Sequence, residues 1–368
     1  MDSNCCNDVN LINDFKIDCE QRLEAARRLS RSFKLDLKAV CEIDLHCHSF
    51  YSDGYLSPAG KVFEAWRRQM KAIAICDHDV VDGQLEAIEA GEIFNIDVIP
   101  AVEFYTDRSG IEIIGHFPNV KLFKNLLQSH SFDLVCEPIR NAKRRQLQGM
   151  IARVPKCFAK LGFDAVITSE DIDRYVRNGV TTKGDISVIL WQKYGEEFVK
   201  RKIATDVKDL QATYTTKDDM LNLPLDSLDI DLTPAAFVQC IYVWGGLPGL
   251  AHPTELRTKE GLGNEALYQE ICSLADVGLQ TIEVDGWRNT KCPESGKYQT
   301  ELFEEMRQRY NREHPEELPL LFTNGSDDHN QPGEGLVLGC GRDNNLNPEF
   351  GRYSNIELLR NRQRRLLS

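Results

Sequence analysis

Short apolar segments alternate with longer amphipathic ones from about residue 43 onward, and this alternation constrains the fold more than any other feature. The segment AIAIC at 72–76 has the length and composition of a buried strand. Before it, Ser57 and Pro58 have the pattern of an N-cap followed by a first-turn proline, which predicts a helix through Arg68. Such alternation is typical of parallel β-α-β units, in an open doubly wound sheet or a barrel.

The same pattern continues along the chain. Asp82 predicts the N-cap of a helix that ends near Phe94, and a separate amphipathic helix is predicted over Leu11 to Phe33. A basic tail from Ser354 is predicted to be a solvated surface helix. Five more segments are predicted to contain strands: DVIPAVEF, IEIIGHF, GLPGLAHP, GLQTIEVDG and LPLLFTNGSDDH.

The chain of 368 residues is long enough for one large α/β domain that carries an insertion. We expect an N-terminal helical extension over residues 1–41 and the first part of the α/β domain over 42–118. A helical insertion subdomain is predicted over 119–236, the second part of the α/β domain over 237–342, and a C-terminal tail over 343–368.

Composition narrows the class of protein. Apolar residues make up 42% and charged residues 27% of the chain, and no apolar run approaches the roughly 18 residues of a membrane span. The twelve cysteines form no regular framework, which favours free thiols, and the polar start MDSNCCNDVN favours a cytoplasmic protein. A formal charge of −13 argues against long nucleic acid as a partner.

The segment DLHCHSFYSDG at 44–54 contains two histidines, His46 and His48, separated by one residue. Residues two apart on a strand project from the same face, so the two imidazoles have a chelating arrangement. A single pair of this kind also occurs by chance on half-exposed strands. The other polar clusters of the chain must therefore decide its meaning.

Each of those clusters follows a predicted strand, at the edge where parallel α/β folds place their active sites. They comprise His46, His48 and Asp53; Asp77, His78 and Asp79; Glu103; His252; and Asp327 with His329. Imidazole and carboxylate ligands without cysteine suit zinc, manganese or iron, and magnesium less well. Their number exceeds what one ion binds, so we expect two to three divalent ions.

Five motifs, DLHCHSFYSDG, AICDHDVVDG, AVEF, GLAHP and TNGSDDH, occur in the order that resembles the PHP family (polymerase and histidinol phosphatase). The resemblance covers about residues 42 to 341. It implies an α/β fold, a distorted (β/α)7 PHP barrel with a trinuclear metal centre, and the branch of small-molecule and oligonucleotide phosphoesterases that carries a helical insertion.

The resemblance also implies how the ligands are shared. One ion would be held by His46, His48, Glu103 and Asp327; a second by Glu103 and His252; and a third by Asp53, His78 and His329. The family usually supplies a further histidine on the strand after Glu103, where this chain has Glu112. Glu112 is the favoured replacement, and His116, which shares its strand face, is the alternative.

The insertion contains the basic segment EPIRNAKRRQLQGM, and runs of this kind are more often solvated helix faces than binding sites. In related phosphoesterases the insertion supplies cations to the substrate phosphate, which makes Arg140, Arg144 and Lys183 the candidates here. Lys183 lies in TTKGDIS, where the family has a Gly-Arg-Pro-His-like element. A lysine cannot reproduce the bidentate grip of an arginine on phosphate.

The residues and the resemblance together predict a metal-dependent phosphoesterase that acts on a small phosphomonoester. The nucleophile would be a hydroxide bridging two ions, and the leaving group would be protonated by a metal-bound water or by Asp77 or Asp79. A 5′-to-3′ exonuclease acting on short oligonucleotides is the first alternative. The second is a PHP module that binds metal or phosphate without turnover.

Overall fold

The computed structural model describes residues 3–35, 37–108, 110–175, 182–216, 221–223, 228, 230–285, 298–330, 337–340 and 348–368. The chain divides into two compact units. The first unit comprises Met1–Phe50, Gly54–Phe132 and Asp231–Ser368, and the second comprises Tyr51–Asp53 and Asp133–Ile230. The boundaries of the five segments expected from the sequence stay predictions.

All the described strands lie in the first unit. They are β1 Ile43–Cys47, β2 Ala72–Ile75, β3 Asp97–Val98, β4 Ala101–Tyr105, β5 Glu112–His116, β6 Leu247–Leu250, β7 Thr281–Asp285 and β8 Leu321–Gly325. Strands β1, β2 and β3 form a parallel sheet in that order. The other five strands form a second sheet in the order β4-β5-β6-β7-β8.

The second sheet is mixed. Strand β5 pairs antiparallel with both β4 and β6, whereas β6, β7 and β8 are parallel. The expectation of parallel units throughout was therefore wrong for β4 and β5, because a short connection of six residues between them permits only a hairpin. The α/β class is confirmed, but the described residues form two sheets and no closed barrel. Single parallel bridges, Cys47 to Asp328 and His78 to Glu103, join the two sheets.

The helices occur in the following order. They are α1 Ser3–Ile12, α2 Cys19–Ser32, α3 Pro58–Arg67, α4 Gln84–Phe94, α5 Val120–Gln128, α6 Asp133–Ala159, α7 Ser169–Tyr175, α8 Lys183–Lys200, α9 Val207–Leu210, α10 Pro234–Val243, α11 Thr254–Glu260, α12 Asn264–Asp276, α13 Gln299–Glu313 and α14 Ser354–Leu366. A single π-helical segment, Gln211–Thr216, follows α9.

Capping side chains decide several helix boundaries. Ser57 caps α3 as predicted, since its hydroxyl accepts a hydrogen bond from the Gly60 amide at 2.8 Å. The single helix expected near the N-terminus is instead two helices, because Asp18 forms a capping box with Gln21 and starts α2. Helix α4 begins after Gly83 without a side-chain cap, so the expected Asp82 cap was wrong.

Both faces of the parallel sheet are buried. On β2 the side chains of Ile73 and Ile75 pack with α2, α3 and α4, whereas Ala72 and Ala74 pack on the other face with residues of β1, β6 and α14. Helix α14 buries Ile356 and Leu359 in that second cluster, so the C-terminal segment is a helix as predicted but not a solvated one.

The segment DVIPAVEF, expected to be one strand, is two. Pro100 separates β3 from β4, and these strands belong to different sheets. A proline has no amide proton to donate to a strand ladder, so pairing stops there. The turn at this proline lets β4 leave the parallel sheet and present Glu103 beside the loop that follows β2.

The second unit is helical and has a core of its own. Helices α6, α8 and α9 and the π-helical segment contribute to one apolar cluster that includes Phe158, Leu190, Phe198 and Tyr214. Thr182 caps α8 through a capping box with Asp185. Throughout the described residues, every helix is too short or too polar to cross a membrane, and ten of the described cysteines are free thiols.

Candidate metal centre

Eight of the nine predicted ligands meet in the first unit, at or just beyond the ends of its strands. They are His46 on β1 and His48 after it, His78 after β2, Glu103 on β4, Glu112 on β5, His252 after β6, and Asp327 and His329 after β8. Donor atoms from these residues form overlapping groups in which the atoms lie within 4.8 Å of one another. We call this set the strand-end cluster.

The two histidines of the His-x-His pair do converge. The Nε2 atoms of His46 and His48 are 3.1 Å apart, and both imidazoles are fully buried. The Oδ1 atom of Asp327 lies 3.2 Å from Nε2 of His48 and 3.5 Å from Nε2 of His46. Three donor atoms from β1 and the loop after β8 therefore surround one point.

Glu103 lies at the centre of the cluster. Its Oε2 atom is 3.1 Å from Nε2 of His46 and 3.2 Å from Nδ1 of His78, and its Oε1 atom is 3.2 Å from Nε2 of His252. The side chain is buried completely. A carboxylate with imidazoles on both oxygens is suited to bridge two ions.

Glu112, not His116, joins the cluster. The Oε2 atom of Glu112 is 3.1 Å from Nε2 of His252, on the side of that imidazole that also faces Glu103. His116 is buried in the core, where its Nε2 donates a hydrogen bond to the carbonyl of Leu45 at 2.8 Å. The geometry therefore separates the two alternatives for the position that departs from the family pattern.

The cluster becomes more open toward His329. The side chains of His46 and Glu103 are 1% and 0% exposed, whereas Asp327 is 9% and His329 is 18% exposed. The ring of His48 stacks on those of His329 and His78 at centroid distances of 4.2 and 4.5 Å. The end of the cluster at His329 is therefore its more exposed end.

These donors fit a divalent cation. Metal–ligand bonds of about 2.0–2.2 Å in tetrahedral geometry keep neighbouring donor atoms roughly 3.3 Å apart. The separations at Glu103, from 3.1 to 3.2 Å, are close to that value. Buried carboxylates also need cations, because a buried charge without a partner is costly. Imidazole and carboxylate donors are those that zinc, manganese and iron accept.

Protons compete for the same positions. Burial opposes protonation of His46, but the carboxylates of Glu103 and Glu283 outweigh it and raise the pKa of His46 well above its usual value. His252 has a raised pKa for the same reason, with Glu112 as its main partner. Burial likewise opposes ionisation of Glu103, yet His46 and His78 hold the pKa of Glu103 well below its usual value.

The loops that carry the ligands have unusual backbone conformations. Asp79, His252 and Asp327 have φ angles of 56°, 22° and 53°, in or beside the left-handed region that non-glycine residues rarely adopt. Such conformations cost energy and persist where the surrounding structure enforces them, which is common at functional sites.

Sequence reasoning missed Glu283, which lies on β7 and is 1% exposed. Its Oε2 atom is 2.9 Å from Nδ1 of His46. A glutamate within the otherwise apolar strand GLQTIEVDG was the available signal, since buried strand positions rarely carry a carboxylate. Sequence reasoning also missed Lys61 and Asp328. Both are buried, and their side chains form an ion pair at 2.6 Å.

The remaining predicted residues are Asp77 and Asp79, which flank His78 in the sequence, and four residues of the second unit. Both oxygens of Asp77 accept hydrogen bonds from Ser49, from its amide at 2.7 Å and its hydroxyl at 2.6 Å, and the Asp79 amide donates to the Glu103 carbonyl at 2.8 Å. The roles of Asp77 and Asp79 in proton transfer stay predictions. The same holds for four residues of the second unit: Asp53, Arg140, Arg144 and Lys183.

Fold and cluster together define an α/β protein with a histidine- and carboxylate-rich site at its strand ends. Residues 44–213, a little under half of the chain, match the sequence profile of the PHP domain family. This is the family that the motifs predicted.

The chain is similar to one protein over part of its sequence and to solved structures in its fold. A 5′-3′ exoribonuclease of Haemophilus influenzae is 43% identical over 74 residues, which are 20% of this chain and 27% of that protein, so the chain matches about a quarter of its relative's length. A structure from Bifidobacterium adolescentis, proposed to be a metal-dependent phosphoesterase, has a TM-score of 0.59 at 22% identity over 82% of this chain and 93% of its own.

An amidohydrolase from Chromobacterium violaceum, solved with bound sulfate and no metal, has a TM-score of 0.55. It is 22% identical over 80% of this chain and 89% of its own. At these identities the two structures show a shared fold.

Proposed function

We propose that the protein is a metal-dependent phosphoesterase that hydrolyses a small phosphomonoester. The observation that carries the proposal is the convergence of five histidines and four carboxylates, counting Glu283, on the end of one strand array. The match of residues 44–213 to the PHP domain family supports it, as does the fold shared with the Bifidobacterium structure. We further propose that the two sheets, joined by the bridges from Cys47 to Asp328 and from His78 to Glu103, form a distorted (β/α)7 barrel that holds these donors.

We assign two to three divalent ions to the cluster. His46, His48, Glu103 and Asp327 would hold the first; Glu103, Glu112 and His252 the second; and Asp53, His78 and His329 the third. When bound, such ions supply a nucleophile at neutral pH by lowering the pKa of water and neutralise the oxygens of a phosphate ester.

The protein's own side chains contribute position and charge. The buried floor around His46 and Glu103 excludes bulk water, which strengthens every electrostatic contact with a bound anion. Asp77 and Asp79 are the proposed proton donors to the leaving group. Asp77 is 1% exposed, and Ser49 contacts both of its carboxylate oxygens.

Phosphate contacts are proposed for the cations of the second unit, Arg140, Arg144 and Lys183. Burial lowers the pKa of Lys183, and the neighbouring charge of Lys143 lowers it further. Its Nζ atom donates to Oδ1 of Asn222 at 2.8 Å. A lysine held in this way acts toward a phosphate oxygen as a point charge, in contrast with the two parallel donors of an arginine.

A 5′-to-3′ exonuclease is the second candidate function. The 43% identity to a segment of the Haemophilus influenzae exoribonuclease favours it. The chain's net charge of −13 favours the small substrate instead, because extended contacts with a polyanion need a basic surface.

Steady-state kinetics distinguish the two candidates. We expect a higher kcat/KM on a mononucleotide than on a matched five-nucleotide oligomer, with little change between low and high salt. The Arg144→Ala variant should raise KM more than it lowers kcat if Arg144 contributes uniform binding. A preference for the oligomer, with a steep loss of kcat/KM at higher salt, would instead establish the exonuclease.

A further inference from the structure

Glu283 contacts two of the histidines in the strand-end cluster through one oxygen atom. Its Oε2 lies 2.9 Å from Nδ1 of His46 and accepts a hydrogen bond from the backbone amide of His252 at 3.1 Å. His46 belongs to β1, Glu283 to β7, and His252 follows β6. One carboxylate oxygen therefore ties together three strands that each carry part of the site.

We propose that Glu283 is a positioning residue for the metal centre, which sets the tautomer of His46 and the backbone position of His252. It is not itself a ligand in this assignment, since both of its contacts are made to the outer side of those residues. This inference rests on the metal centre of the proposed function and not on the identity of the substrate.

The contact with His46 decides which of its nitrogens faces the cluster. An ionised carboxylate only accepts hydrogen bonds, so Nδ1 of His46 must carry the proton that is shared with Glu283. In neutral His46 the lone pair then resides on Nε2, which points at Oε2 of Glu103 at 3.1 Å and at Nε2 of His48. A carboxylate that holds the outer nitrogen also makes the imidazole a stronger ligand.

The contact with His252 fixes a strained backbone. His252 has a φ of 22°, which an imidazole-bearing residue does not adopt without support. The hydrogen bond from its amide to Glu283 supplies that support, and it leaves Nε2 of His252 between Glu103 and Glu112 at 3.2 and 3.1 Å. Glu283 thus orders ligands of two proposed ions at once.

Gly325 makes this close approach sterically feasible. A Cβ atom at position 325 would lie 2.3 Å from Cβ of His46 and 2.5 Å from Oε1 of Glu283, distances at which atoms cannot coexist. Oε1 is buried and has no hydrogen-bond partner among the described residues. The protein therefore accepts the desolvation of one carboxylate oxygen in order to place the other.

Calorimetric titration of metal-stripped protein with Mn²⁺ tests the role of Glu283. We expect Glu283→Ala to bind Mn²⁺ about 10- to 100-fold more weakly than wild type, the usual effect of losing a residue that supports a ligand. Glu283→Gln should fall between the two, because its amide oxygen still accepts from His46 but the charge is lost. Each variant is first shown to unfold cooperatively without metal.

Glu86→Gln is the matched control. Glu86 is also a buried carboxylate of the first unit, and it pairs with Arg22 at 2.6 Å outside the strand-end cluster. We expect this variant to lose stability and keep wild-type Mn²⁺ affinity. A folded Glu283→Ala or Glu283→Gln protein that binds Mn²⁺ within twofold of wild type would overturn the proposal, whereas a wild-type protein that binds no Mn²⁺ would overturn the metal centre itself.

Discussion

Buried histidines of the first unit differ in charge because their neighbours differ. Carboxylates raise the pKa of His46 against the effect of burial, as described above. His116 lies on the neighbouring strand β5 and is equally buried, but there burial prevails and lowers its pKa to about 4. Its hydrogen bond to the Leu45 carbonyl keeps it a neutral donor in the core. The same residue type thus serves the site in one position and the packing in another.

His116 should make the stability of the fold depend on pH. Its pKa is near 6.5 in the unfolded chain and about 4 in the folded one, so the unfolded state binds the proton more tightly. Stability is therefore lost as the pH falls from about 6.5 toward 4, by about 2–3 kcal/mol. Denaturant unfolding of wild type and His116→Gln at pH 7 and pH 4.5 measures this, and the variant should lose less between the two.

The comparison is between the stability that each protein loses from pH 7 to pH 4.5. A loss of stability that is equal at both pH values in His116→Gln therefore does not affect it. Equal losses for both proteins between pH 7 and pH 4.5 would show that His116 is not held neutral.

At the scale of single residues, the sequence identified side chains that converge in the structure but missed those that support them. His46, Glu103 and Asp327 could be predicted because histidine and carboxylate types recur after apolar strands. Glu283 lies inside a strand, and only the close approach permitted by Gly325 reveals its role. A glutamate within an apolar strand signals a buried carboxylate, but its partners depend on three-dimensional distances that the sequence does not specify.

At the scale of elements, helix α3 is fastened to the loop that carries Asp327 and His329. Nζ of Lys61 donates to the backbone carbonyl of Asp328 at 2.7 Å and to its carboxylate at 2.6 Å. The carbonyl of Asp328 also accepts from the His48 amide at 3.0 Å. A buried cation therefore holds the β8 loop against the end of β1.

Replacing Lys61 by methionine should destabilise the protein by about 3–5 kcal/mol, because the buried carboxylate of Asp328 is left without its cation. Lys71→Met is the matched control. Lys71 pairs with Glu42 at the surface, where both side chains are about half exposed, and its loss should cost about 1 kcal/mol or less. Equilibrium unfolding in urea measures both. A Lys61→Met protein as stable as Lys71→Met would refute the role of the buried pair.

Strand and helix positions were largely predictable, but their pairing was not. The apolar segments that became β2, β5, β6 and β8 stood out by length and composition. The antiparallel placement of β5 depends on its hairpin connection to β4, and the break at Pro100 divides one apolar run between two sheets. Periodicity describes the faces of a segment, and it does not determine the neighbour against which a strand pairs.

At the scale of the whole molecule, acidic charge is concentrated where cations can offset it. The chain carries a net charge of −13, and four carboxylates of the first unit are gathered around the imidazoles of the strand-end cluster. The chain divides into two compact units, and α5 and α10 belong to the first. The segment boundaries expected from the sequence stay predictions.

Metal-dependent hydrolysis at the strand-end cluster is tested most directly by measuring metal content and phosphate release on the same preparations. We expect metal-stripped protein to be inactive and protein reconstituted with Mn²⁺ to bind two to three ions per chain and to hydrolyse a phosphomonoester. Glu103→Gln should lower both the stoichiometry and the rate, because Glu103 contacts imidazoles of each proposed ion site in the first unit, whereas Glu86→Gln should retain both. Equal hydrolysis by stripped and reconstituted protein would contradict a metal-dependent reaction. Wild-type metal content in Glu103→Gln would contradict a metal centre built around Glu103.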